Sequence, residues 1–179
     1  MLSINIPDQE LFDNQTQEFI TLHGGELVLE HSLLSVYKWE SKWKKPFLSK
    51  KEKTPEESRD YIRCMVVSGE IDPILYCFIP DQIISKVDDY INDPMSATMF
   101  QKTNEPQPRD IVTAEIIYWE MTVLNIPIEF ETRHLNHLLS LIKVCSIKNG
   151  PAKKKSKKER IEENRKRNEM NKKFFNTKG

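Results

Sequence analysis

Residues 18–33 read Glu18-Phe19-Ile20-Thr21-Leu22-His23-Gly24-Gly25-Glu26-Leu27-Val28-Leu29-Glu30-His31-Ser32-Leu33, and the division of this run decides the fold. Two apolar pentads flank His23-Gly24-Gly25. Glycine tolerates the positive φ of a tight turn, so the run reads as a hairpin of 18–22 against 26–30. Upstream, Leu2, Ile4 and Ile6 alternate with polar residues until Pro7, which reads as a third strand. So small a sheet is marginal alone and must pack on helices.

From Ser32 the apolar period changes from two to between three and four. Leu33, Val36, Trp39, Trp43 and Phe47 step down one stripe, and Pro46 predicts a helix end near Lys44 or Lys45. Thr54-Pro55-Glu56-Glu57 has the form of a helix start, with Thr54 as cap, Pro55 at the first position and Glu57 closing a capping box. Tyr61, Ile62, Met65 and Val66 then mark its buried side. Asp72-Pro73 predicts a short helical turn. Pro80-Asp81 opens a helix with Ile83, Ile84, Val87, Tyr90 and Ile91 at helical spacing, stopped by Asn92-Asp93-Pro94. Met95–Pro108 is polar and proline-punctuated, and predicts a loop. Between Asp110 and Leu124, Ile111, Ala114, Ile117, Tyr118 and Met121 share one side. Ile116, Trp119 and Val123 widen that surface, as expected of a central helix touched from several directions. Thr132 is the expected cap of a last helix carrying Leu135, Leu138, Leu139, Ile142 and Cys145, and Asn149-Gly150-Pro151 ends it. The expected fold is therefore mainly α. A β-hairpin element (1–30) packs on a core of about five helices (31–150), followed by a basic tail (151–179).

Charge separates that tail from the rest. Lys153–Gly179 holds 12 Lys/Arg against 4 Asp/Glu, a net of +8, leaving residues 1–152 with 15 against 23, a net of −8. Its apolar residues are Ile161, Met170, Phe174 and Phe175, too few to hold a helix against a core. Lys153, Lys154, Lys155, Lys157, Lys158, Arg160, Arg165, Lys166 and Arg167 make it a candidate binding extension. An acidic body favours a protein partner over nucleic acid. The opening residues Met1–Pro7 lack the pattern of a secretory leader, and no apolar run reaches the ~20 residues of a membrane span. Three isolated cysteines, Cys64, Cys77 and Cys145, read as reduced thiols of the core in a reducing cytosol.

The sequence offers no phosphate-binding glycine loop, nucleophile elbow, HExxH or CxxC. His134 and His137, one turn apart with Glu131 nearby, have the spacing of a metal pair, but they open a helix on its apolar and polar sides respectively. Asp88-Asp89 and Glu56-Glu57 point about 100° apart on a helix and cannot converge on one atom. Neither catalytic residues nor a cofactor or metal are expected. Trp39, Trp43 and Phe47 are the candidate protein-binding groove wherever they remain exposed, although aromatics at this spacing usually belong to a core. Trp39, Trp43 and Trp119 also have the makings of a ligand slot or stacking platform, the Trp stripe beside Lys42, Lys44 and Lys45 suiting single-stranded nucleic acid, with core packing the default.

Four segments, 29–43 (Leu29-Glu30-His31-Ser32-Leu33-Leu34-Ser35-Val36-Tyr37-Lys38-Trp39-Glu40-Ser41-Lys42-Trp43), Tyr61-Ile62-Arg63-Cys64-Met65, Asn92-Asp93-Pro94-Met95-Ser96-Ala97-Thr98 and His134-Leu135-Asn136-His137-Leu138-Leu139, resemble tail assembly chaperones of tailed bacteriophages of Gram-positive hosts. The likeness runs from about Leu27 to the C-terminus and carries no binding residues with it. It implies a non-catalytic chaperone in the host cell cytoplasm that coats the tape measure protein and promotes assembly of the tail tube, whose subunit is a second partner. It further implies a longer frameshifted form, for which Ala152-Lys153-Lys154-Lys155 would supply the adenine-rich codons. The alternatives are a structural virion component at the head–tail junction or baseplate, which would self-associate into rings, and a nucleic-acid-binding regulator using the basic tail.

Overall fold

The computed structural model describes residues 1–15, 17–98, 100, 111–149, 161, 162, 164, 165 and 167–170. The chain divides into two compact units, Met1–Ser146 and Ile147–Gly179.

The first unit is a mixed α+β fold, which corrects the expectation of a mainly α protein. Two small antiparallel sheets accompany the helices. β1 (Leu2–Ile6), β4 (Gly25–Leu29) and β5 (Val66–Ser68) form one in the order β1-β4-β5, and β2 (Gln9–Asp13) and β3 (Glu18–Leu22) form the other. The expected hairpin of 18–22 against 26–30 does not exist. β3 folds back on β2, pairing Phe12 with Phe19, while β4 crosses to pair Ile4 with Leu27. Gly24 is the corner between the sheets. Its role is close approach rather than positive φ, because a Cβ there would lie 2.0 Å from the Ile6 carbonyl oxygen. Its N–H donates to Asp8 Oδ1 at 2.7 Å. β5 was also unexpected: Val66 leaves the preceding helix and pairs with Leu29. At its far end Gly69 takes φ +93°, and a Cβ there would meet the Glu26 carbonyl oxygen at 2.1 Å.

The helices follow the sequence signals closely. α1 (Leu33–Trp43) is capped by Ser32, whose hydroxyl accepts from Ser35 N–H, and stops at Lys44 in the left-handed region. α2 (Pro55–Met65) carries the full Thr54/Glu57 capping box. A 3₁₀ turn, Pro73–Phe78, begins where Asp72 Oδ1 accepts from Ile74 N–H. α3 (Asp81–Asn92), α4 (Ala114–Val123), a second 3₁₀ turn (Ile128–Thr132) and α5 (Leu135–Asn149) complete the order. α5 is capped by the His134 ring, whose Nδ1 accepts from Asn136 N–H at 3.3 Å. The Thr132 hydroxyl instead donates to the Glu129 carbonyl.

One core joins the inward faces of β1 and β4 (Ile4, Ile6, Leu27, Leu29) to Leu33, Val36 and Trp39 of α1, Met65 of α2, Ile117 and Met121 of α4, and Leu135 and Leu138 of α5. Glu30-His31-Ser32 runs through its centre. Glu30 N–H donates to the Met65 carbonyl, and the His31 carbonyl accepts from Leu135 N–H at 2.7 Å. Of the cysteines, Cys64 and Cys145 are half-buried, whereas Cys77 is exposed rather than part of the core. Most of the expected loop Met95–Pro108 lies outside the described residues.

In the second unit, described residues between Ile161 and Met170 are helical and exposed. Arg165 pairs with Glu169 one turn on, and Arg167 donates to Asn164 Oδ1. Lys153, Lys154, Lys155, Lys157, Lys158, Arg160 and Lys166 lie outside the described residues.

Candidate functional site

Two of the three residues expected to form a groove are interior. Trp39 is 1% exposed and Phe47 7%, and their rings meet edge to face at 5.2 Å beside Tyr61. Trp39 Nε1–H donates to the Glu57 carbonyl and Trp43 Nε1–H to Asp60 Oδ2, each at 2.9 Å, so both indoles pin α1 onto α2. Lys42 and Lys45 pair with Asp60 and Glu57. The Glu57 carboxyl is held below its ordinary value, first by the Lys45 hydrogen bond and then by Thr54 N–H. Lys53 sits 4.2 Å over the Phe47 ring, and burial pulls its pKa down. Of the three, Trp43 alone keeps a partly open edge. The arrangement ties two helices together and leaves no groove between Trp39 and Phe47.

Three of the ionisable side chains that gather, Glu30, His31 and His134, are engaged in hydrogen bonds within the fold. A cleft of about 610 Å³ is lined in part by Glu30, Arg133, His134 and His137. Glu30 is buried and accepts from Tyr90 Oη at 2.7 Å. His134 accepts at Nδ1 from Asn136 and so donates from Nε2 to the Tyr90 carbonyl at 3.0 Å. Behind it His31, fully enclosed, accepts at Nδ1 from Tyr61 Oη at 2.5 Å. Burial, then the neighbouring His134, lowers the His31 pKa to about 3, and burial raises that of Tyr61 well above its usual range. His31 is thus neutral and Tyr61 a proton donor to it. Both ring nitrogens of His134 are occupied, and among the described residues no three His, Cys, Asp or Glu side chains stand close enough to share a metal. Asp88 and Asp89 are exposed, as is Glu56, while Glu57 turns inward to close its capping box.

Among the described residues, α4 presents an exposed apolar surface. This helix is apolar on opposite sides. Ala114, Ile117 and Met121 are buried against the core, with Tyr118 beside them donating to Glu131 at 2.7 Å. Ile116, Trp119 and Val123 fall within about 60° of one another on the far side, a stripe of about 10 Å. They are 39%, 64% and 56% exposed, and Ile111 and Val112, leading into the helix, are exposed as well. The sequence contains this stripe in full. Ile116, Trp119 and Val123 were expected to suit a helix touched from several directions; among the described residues they stay exposed. The helix is held in place from its first turn, because the buried Glu40 carboxylate accepts from Ala114 N–H at 2.8 Å and from Phe47 N–H at 2.7 Å. Glu40 therefore caps α4 in place of Thr113, whose side chain makes no capping bond. An apolar stripe on a helix anchored at its N-terminus is a rigid ridge, suited to packing against a second helix.

No known family model matches the chain, and no curated protein or solved structure is detectably similar to it.

Proposed function

We propose that this chain is a non-catalytic assembly chaperone of a tailed bacteriophage. In the host cytoplasm it holds the helical tape measure protein against the outer side of α4 and brings in tail tube subunits. The observation that carries the proposal is the Ile116–Trp119–Val123 stripe. Scattered apolar residues are ordinary on a surface, but a solvent-facing Trp flanked at helical spacing by two β-branched residues marks an interaction site. The i, i+3, i+7 pattern is the one by which an amphipathic helix is gripped. The engagement of Glu30, His31 and His134 in structural hydrogen bonds supports binding over catalysis.

The test is co-expression with a tape measure protein of tailed bacteriophages, followed by pull-down. Three proteins are compared: the full chain, the chain without residues 153–179, and a Trp119→Asp/Val123→Asp variant. The full chain is expected to capture the helical protein, and the variant to lose it while its circular dichroism and unfolding midpoint stay unchanged. Failure of both the full and the shortened chain to bind, or full binding by the variant, would remove the proposal.

A further inference from the structure

The charges around the stripe narrow the partner. From Ile111 to Thr132 the chain carries Glu115, Glu120, Glu129 and Glu131 and not one Lys or Arg. Glu115 and Glu120 bracket the apolar stripe on the helix, one on each side, at about 100° and 40° from Ile116. Neither carboxylate has a hydrogen-bond or ion-pair partner among the described residues, in contrast to Glu30, Glu40, Glu57 and Glu131, each of which does. Unpaired acids along the rim of an apolar seam act like the flanking positions of a coiled coil, which choose the partner by charge.

Resting on the docking site proposed above, we infer that the helix it takes up is one whose apolar stripe is flanked by lysine and arginine. Three other occupants fit worse. A second copy docked through the same side would set Glu115 and Glu120 against their own kind. An anionic membrane surface attracts helices with basic flanks and repels these. The phosphates of a nucleic acid meet the same repulsion. A basic-flanked amphipathic helix alone satisfies both the stripe and its rim.

The experiment uses the full chain and two labelled synthetic peptides of about three heptads. Both carry Leu along an i, i+3, i+7 stripe, one flanked by Lys and the other by Glu, and binding is read by fluorescence anisotropy. At about 50 mM salt the Lys-flanked peptide is expected to bind at least about tenfold more tightly, and the gap should shrink at about 0.5 M. The variant Glu115→Gln/Glu120→Gln should close the gap while retaining affinity for the stripe. Equal affinities for the two peptides in the unaltered chain would overturn the inference and leave the docking site standing. A Lys preference that survives in the variant would equally overturn it, placing the selecting charge elsewhere. Binding of neither peptide would remove the docking site, and this inference with it.

Discussion

The buried His31 makes stability sensitive to mild acid. In the folded chain its pKa is about 3, against 6.5 for a free imidazole. At pH 7 it is neutral in the folded chain and only about one quarter protonated in the unfolded one, so its pH dependence there is slight. As pH falls below 6.5 the unfolded chain takes up a proton that the folded chain refuses, and stability is lost progressively down to about pH 3. At pH 5 the unfolded imidazole is about 97% protonated, and the folded one about 1%. The resulting loss between pH 7 and pH 5 is about 2 kcal/mol. For a unit of this size that lowers the melting temperature by about 4–8 °C. Glu57, whose pKa is lowered on folding, loses its share below the ordinary carboxylate value of 4.5. The assay is urea unfolding at half-unit steps of pH for the natural chain and for His31→Gln. The glutamine keeps an acceptor for the Tyr61 hydroxyl but has no proton to take up. The variant is expected to be less stable at pH 7 and flatter from pH 7 to 5, the two curves converging by about 2 kcal/mol. An identical slope in both proteins would refute the assignment of a neutral, enclosed His31.

Further outcomes follow from the same contacts. Glu40→Ala strands the N–H groups of Phe47 and Ala114 in the interior and should cost about 2–4 kcal/mol in urea unfolding, with Glu40→Gln intermediate because it keeps one acceptor. Gly24→Ala and Gly69→Ala should each cost about 3 kcal/mol or more, since the added Cβ meets backbone oxygen at 2.0 and 2.1 Å. Trp119→Asp should change stability by no more than about 0.5 kcal/mol, whereas Trp39→Ala should cost about 3–5 kcal/mol. Calorimetry on the two variants separates a surface indole from an interior one. At pH 8 a thiol reagent should modify exposed Cys77 well before Cys64, whose pKa burial raises to about 11, as mass spectrometry of partly labelled protein would show.

The helices were legible because their signals are local. Ser32, Thr54 with Glu57, Asp72-Pro73 and Asn92-Asp93-Pro94 act within one turn of where they stand, and each marks a real boundary. The sheets were not, because pairing is a long-range choice. Gln9–Asp13 lacks the alternation of a strand and becomes one only through its register with Glu18–Leu22. Val66–Ser68 is a strand because β4 offers it an edge. His23-Gly24-Gly25 marks a turning point in the chain, yet periodicity does not tell a hairpin from a corner between sheets. The same gap hid the exposed stripe. The pattern of α4 shows two apolar sides, and only the tertiary structure reveals that, among the described residues, the second stays exposed. Conversely, Trp39 and Phe47 drew notice as aromatics beside lysines, but their carbonyl and ring partners on α2 place them inside.

The claim on which the rest depends is that the outer side of α4 is where a helical client sits. Hydroxyl-radical footprinting of the free chain and of the complex proposed with a tape measure protein tests it directly, with oxidation read residue by residue. Trp119, Ile116 and Val123 should be oxidised readily in the free protein and protected in the complex, while Phe12 and Phe19 of the β2–β3 hairpin stay unchanged. A stable complex in which Trp119 oxidises as fast as in the free chain would contradict the claim.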